Sequence, residues 1–145
     1  MDIQAKGKRG FLKTLVFLGL LSFVQLPAYC QIFNQAEDFV EMNGVQIENC
    51  TDHGGGLNAG WIDDGDWMEY DINLPISGNY IISVRAASLD GGGVISIINN
   101  DNSLDNINIS ATGGWQNWET IEGGEFTLEA GMQRIRLLAS TGGYN

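Results

Sequence analysis

The chain has 145 residues, with seven Lys and Arg against eighteen Asp and Glu, one histidine and two cysteines. A net charge of −11 repels a phosphate backbone and an anionic bilayer surface, which argues against nucleic acid and lipid headgroups as partners. One histidine and two cysteines are too few for a soft-metal cluster or a disulfide framework.

In chain order, residues 1–30 read as a secretory signal peptide. Lys6, Lys8, Arg9 and Lys13 form a basic start, and Thr14 to Leu26 form an apolar run. "PAYCQ" then places Ala28 and Cys30 as small residues ahead of a cut before Gln31. The apolar run is too short to span a bilayer comfortably, so the mature form is expected to be exported and free of a membrane anchor. The mature chain, residues 31–145, is expected to be one domain with three arginines against seventeen acids, a charge of −14. Cys50 is then a lone thiol without an assigned role.

From Gln31 onward the pattern is that of strands. "DWMEYDINL" puts Met68, Tyr70, Ile72 and Leu74 on one face and Trp67, Glu69, Asp71 and Asn73 on the other. "NYIISVRAA" puts Tyr80, Ile82, Val84 and Ala86 on one face, with Ser83 and Arg85 opposite. "GVISIINN", "NINIS", "WETI", "GEFTL" and "MQRIRLLAS" continue the series. Period-two alternation broken by turn residues predicts half-buried antiparallel strands. Pro75 and Gly78 mark one turn, and "LDGGG" marks another. Short strands without a covering helix predict an all-β fold, a jelly-roll β-sandwich of two antiparallel sheets. The chain stops at "STGGYN", straight after a strand, so the final strand is expected to be missing.

Catalytic readings fare poorly. "HGGG", His53 to Gly56, resembles an oxyanion-hole loop, but no serine has the G-x-S-x-G setting that such chemistry requires. Asp63, Asp64 and Asp66 are close enough in sequence to suggest an acid pair. They stand in a glycine turn, however, where Asp is an ordinary turn former and an exposed carboxyl makes a poor general acid. "DDGD" lacks the spaced ligands of an EF-hand. Gln35, Glu37 and Asp38 are oxygen donors that a hard cation accepts, and they are equally at home on a solvated edge strand.

The four tryptophans carry more information. Trp61 in "NAGWIDDG" and Trp115 in "TGGWQNW" each follow a glycine in loop-like sequence, with little local core to enter. Each either folds down over the end of the sandwich or stands exposed as a stacking platform. A sugar ring offers an apolar C–H face to such a platform, while its hydroxyls need amide and carboxylate partners. Asn58, Asn117 and Asn145 are candidates for the amides.

These segments resemble family 6 carbohydrate-binding modules. The resemblance runs from about Phe33 to Asn145 through "NQAEDF", "GGGLNAGWIDDGDWMEYDI", "LPISGNYIISVRAAS", "TGGWQNWETI", "LEAGMQRIRLLAS" and "GGYN", in order. It implies a jelly-roll module without catalytic activity that binds a polysaccharide such as xylan, β-glucan, cellulose or agarose in a loop cleft. The module would hold a covalently linked glycan-degrading enzyme against its substrate. It implies an aromatic pair at Trp61 and Trp115, a sugar-bonding asparagine at Asn145, and a second cleft on a sheet face at Trp67. It also implies a structural calcium held through Gln35 and Glu37. The family pattern continues beyond the asparagine into a strand that this chain lacks. A second reading, an extracellular adhesion or structural sandwich that binds protein, expects Trp61 and Trp115 to pack inward.

Overall fold

The computed structural model describes residues 2–8 and 29–145. The expected apolar signal segment, Thr14 to Leu26, and Ala28 lie outside the described residues. Among the described residues there are no helices, and eleven strands run in the order β1 (Asp2–Lys8), β2 (Tyr29–Gln35), β3 (Glu41–Asn43), β4 (Gln46–Asn49), β5 (Leu57–Gly60), β6 (Trp67–Leu74), β7 (Gly78–Ala86), β8 (Gly93–Asn99), β9 (Asn102–Ile109), β10 (Glu119–Leu128) and β11 (Gly131–Thr141). They form a four-stranded sheet, β10-β7-β1-β2, a five-stranded sheet, β3-β6-β11-β8-β9, and a hairpin, β4-β5. The strand pairings are antiparallel, as the alternation predicts.

The core lies between the two larger sheets. Met68, Tyr70, Ile72 and Leu74 of β6 are buried, as are Tyr80, Ile82, Val84 and Ala86 of β7. Ile95 and Ile97 of β8 and Ile135, Leu137 and Ala139 of β11 complete it. Both faces read from period-two spacing therefore point inward, because every second side chain of a strand lies on one side of the sheet. Two of the three core tyrosines bond their hydroxyls to backbone: Tyr70 donates to the Ala36 carbonyl at 2.7 Å and Tyr80 to the Ile76 carbonyl at 2.6 Å. Burial pushes the Tyr70 and Tyr144 hydroxyls above the usual phenol range, so both remain neutral.

Two local features shape the sheets. β10 carries a bulge between Glu122 and Glu125, and the Gly124 N–H there is bonded to the Asp105 carboxylate. A Cβ on Gly123 would lie 2.6 Å from that carboxylate, so glycine lets β9 and β10 approach where the sheets meet. The second feature is the pairing of Asn145 with Ala87 by two backbone hydrogen bonds of 2.8 and 2.9 Å. β1, which the sequence reading assigns to the signal segment, pairs along β7 from Val84 to Asn79 and separates β7 from β2. The expected cut before Gln31 falls within β2.

Candidate carbohydrate-binding cleft

Three segments far apart in sequence meet at one end of the sandwich. The turn after β5 carries Trp61, the loop between β9 and β10 carries Trp115, and the segment after β11 carries Tyr144 and Asn145. Together with Glu48 of β4 and Asp63 they line a cleft of about 430 Å³. The two indoles are exposed, Trp61 by 55% and Trp115 by 46%. An inward packing, the expectation of the adhesion reading, is not what the loops adopt.

Trp61 is held in an unusual backbone state. Its φ is 52°, in the left-handed region that bulky residues avoid. Such a conformation costs about 1–3 kcal/mol and persists only where the surroundings impose it. Those surroundings are visible. Ile62 forms a bridge with Tyr144, the Gly143 N–H donates to the Ile62 carbonyl at 2.9 Å, and the Trp61 N–H donates to Asn145 Oδ1 at 3.3 Å. The left-handed residue turns the chain so that the ring leaves the sheet for the cleft.

The acids of "DDGD" build this turn. The Asp66 carboxylate accepts the Asp63 N–H at 2.9 Å, and Asp64 accepts the Gly142 N–H at 2.7 Å. A Cβ on Gly142 would lie 2.4 Å from the Ile62 carbonyl oxygen, so the strand can pass there only as glycine. Asp63, Asp64 and Asp66 are thus turn and anchoring residues. His53 is exposed on the "HGGG" loop, where Gly54, Gly55 and Gly56 all have positive φ and the Gly55 N–H closes a turn on the Asp52 carbonyl at 2.9 Å.

Beneath the cleft is an amide network that sequence reading missed. Glu48 Oε1 accepts from Asn145 Nδ2 at 2.8 Å, Gln116 Nε2 at 3.0 Å and Asn58 Nδ2 at 3.2 Å. Gln116 Nε2 also donates to Asn58 Oδ1 at 3.2 Å, and Gln116 Oε1 accepts from the Thr51 N–H and from Trp118 Nε1. Asn58 was a candidate for sugar hydroxyls and must be corrected. It is 0% exposed and its amide is spent inside the network. Asn117 is exposed, with Nδ2 donating to the Thr112 carbonyl at 3.3 Å. The only sequence signal for Glu48 and Gln116 was proximity: Gln116 sits between two tryptophans, and Glu48 ten residues before Asn58.

Trp67 lies elsewhere. It is half-buried on the outer side of the five-stranded sheet, among Glu69, Asp71, Arg134 and Arg136, and the Arg136 guanidinium lies over its ring. Arg134 makes a two-nitrogen bond to Asp71, at 2.6 and 2.9 Å, and a third contact to Glu69 at 3.2 Å. Burial alone would raise the Glu69 carboxyl, but the bonds from Arg136 and Arg134 outweigh it and hold that carboxyl below its usual range. On the opposite sheet Arg85 bonds both oxygens of Asp52, and that hydrogen bonding holds the Asp52 carboxyl low.

The expected calcium ligands divide. Glu37 is half-buried, and its Oε2 is buried without a hydrogen-bond partner. The Gln35 side chain is exposed and faces a small cleft that also holds Asp52 and Arg85. Among the described residues no three His, Cys, Asp or Glu side chains come together as a metal cluster. Likewise, no helix is long and apolar enough to cross a membrane.

The model of the carbohydrate binding module family 6 matches residues 35–145. Among solved structures, the chain is 43% identical to a carbohydrate-binding module of Cellvibrio mixtus lichenase 5A in complex with cellotriose. The TM-score is 0.71, over 76% of this chain and 87% of that one. A β-1,3-glucan-binding module from Bacillus halodurans is 35% identical with a TM-score of 0.69, over 76% of this chain and 84% of that one. Among curated proteins, the clotting factor G alpha subunit of Tachypleus tridentatus is 37% identical over 80% of this chain, and β-agarase AgaA of Microbulbifer thermotolerans is 27% identical over 77%. The chain spans 18% and 24% of the lengths of those two proteins.

Proposed function

The chain belongs to the family 6 carbohydrate-binding modules, and from that premise we propose that it grips an uncharged β-glycan chain between Trp61 and Trp115. The observation that carries this reading is the pair of exposed indoles flanking one cleft of about 430 Å³, with the Trp61 backbone held in a strained state that presents its ring. The indoles supply apolar faces for a sugar ring, and the network around Glu48 supplies a polar floor. An uncharged ligand suits a chain with such an excess of acids. The solved relatives bound to cellotriose or named for β-1,3-glucan favour a glucan over other glycans.

The module's role is binding alone. It is read as one part of a longer, exported, glycan-degrading protein, in which a tethered module raises the local concentration of substrate at the enzyme. Relatives that include two β-agarases support the attachment. Trp67 is proposed as a separate stacking face on the five-stranded sheet.

A structural calcium is proposed at Glu37, with Gln35 as its expected companion. The partnerless buried oxygen of Glu37 fits a cation, because an unpaired buried carboxylate oxygen is costly and calcium takes oxygen ligands readily. With no cluster of further acids among the described residues, the remaining ligands would be backbone carbonyls, amide oxygens and water.

The test is isothermal titration calorimetry with cello-, laminari-, xylo- and agaro-oligosaccharides. Binding to at least one glucan series is expected. Trp61→Ala and Trp115→Ala should each weaken it by about tenfold or more, with an unchanged circular dichroism spectrum. Absence of binding across the panel overturns the reading.

A further inference from the structure

The backbone of Asn145 and the strand β1 lie in one lane beside β7. Asn145 and Ala87 exchange backbone hydrogen bonds in both directions, at 2.8 and 2.9 Å, which is an antiparallel pairing. The next residue, Ser88, accepts the Thr112 N–H at 2.9 Å from the loop leading into β10. Backbone groups of an extended chain alternate sides, so Ala87 faces away from β10, into the lane that β1 fills farther along β7. The two registers agree. Val84 is three positions from Ala87, so the third residue of a chain carried past Asn145 would stand opposite Val84, where Ile3 stands. The eighth would stand opposite Asn79, where Lys8 stands. We infer that the lane between β7 and β2 is a strand-acceptor site, and that β1 is a replaceable occupant competing for it with a strand continuing from Asn145.

The lane suits a more apolar strand than β1. Its core side is set by Val84, Ile82 and Tyr80, all buried, and residues directly opposed across an antiparallel pair share a face. β1 places Ile3, Ala5 and Gly7 at those register positions. Alanine and glycine bring little apolar area to a core, and glycine weakens a strand. β7 keeps a partner without β1, being paired along β10. Among the described residues β2 has no other neighbour in its sheet, so whichever strand fills the lane also holds β2. A continuation from Asn145 starts at the mouth of the lane, already in register, and enters at high effective concentration. The partner that fits is an extended segment with apolar residues at its third, fifth and seventh places.

The test extends the full chain by eight residues after Asn145. One version carries valine at the third, fifth and seventh of them and threonine elsewhere. A control carries valine at the second, fourth and sixth, which turns the apolar set to the other face. Hydrogen–deuterium exchange, read by mass spectrometry, follows β1 and β7. In the unextended chain β1 is expected to be protected. The in-register extension should speed exchange of β1 by about tenfold or more while Ile81 to Val84 stay protected, and the control should leave β1 protected. Protection of β1 that survives the in-register extension, is lost with both extensions, or is absent from the start overturns the inference. A second measurement decides the matter should an extension fail to fold. Backbone cyclisation joins Asn145 to Met1, and because the registers agree a direct peptide bond fits. The closed chain should melt about 5 °C or more above the linear one, and a single glycine inserted at the junction should forfeit most of that gain. No gain, or an equal gain with the added glycine, overturns the shared register and the inference with it.

Discussion

The guanidinium of Arg136 lies 4.3 Å from the centre of the Trp67 ring, and the same group contacts Glu69 Oε1 through two nitrogens at 2.5 and 2.7 Å. Cation–π stacking and an ion pair thus act on one side chain, and they occupy one face of the tryptophan proposed as a second platform. Trp61 and Trp115 have no such cover among the described residues. The two aromatic sites differ in readiness, although the residues are chemically alike.

Arg136→Ala should therefore uncover Trp67. Acrylamide quenching of Trp67, isolated by replacing the other tryptophans with phenylalanine, is expected to rise. Stability should fall by about 0.5–1 kcal/mol for the lost stacking, before any change from the freed Glu69 carboxylate. If sugar uses this face, the variant should show a second, stronger titration step in calorimetry. A single unchanged isotherm would restrict glycan binding to the end cleft.

Acid should loosen the same sheet. The Glu69 carboxyl is depressed in the folded state from a reference of 4.5, so the unfolded chain takes up its proton first as pH falls. The stabilising contribution is complete above about 4.5 and is lost as pH falls through the lower, folded value. Thermal melts between pH 7 and pH 3 should show the loss beginning below about 4.5, and Glu69→Gln should flatten that part of the curve. Asp52, held low by Arg85 from a reference of 3.8, contributes with the same sign at still lower pH. A Glu69→Gln curve parallel to wild type below pH 4.5 would remove Glu69 from the account.

Calcium should raise the melting temperature, and a chelator should reverse the effect. A ligand at about a hundred times its dissociation constant stabilises by about 2.7 kcal/mol. Glu37→Ala is expected to abolish the calcium dependence, and Gln35→Ala to reduce it. Equal shifts in wild type and Glu37→Ala would place the ion elsewhere or nowhere.

Removing residues 1–30 tests the sheet order. It takes β1 from between β7 and β2, leaving β7 hydrogen-bonded to β10 alone and β2 without a neighbour in its sheet. Amides along β7, from Asn79 to Val84, should then exchange faster, because an edge strand exposes unpaired N–H groups. Unchanged protection in the 31–145 chain would show that another segment fills the lane.

The strands were legible in the sequence because their signal is local. Tyr80, Ile82, Val84 and Ala86 alternate within one short run, and burial follows from the pleat alone. The indole pair at Trp61 and Trp115 was legible as loop aromatics, and family resemblance joined them. Glu48 escaped notice because its partners Gln116 and Asn145 lie 68 and 97 residues away. No periodicity or spacing in one chain encodes such a meeting. Asn58 misled for a related reason: an amide beside a loop tryptophan looks free until the fold buries it under Glu48. The position of β1 was illegible because a basic start followed by an apolar run reads as an export signal.

The proposed grip on a sugar draws on positions 48, 61, 115 and 145, joined by bonds that span nearly the length of the described domain. During synthesis, the clamp cannot form until the segment around Asn145 has left the ribosome and reached Ala87. Under the proposed reading, glycan binding separates chains that have docked this segment on Ala87 from those that have only collapsed around their core.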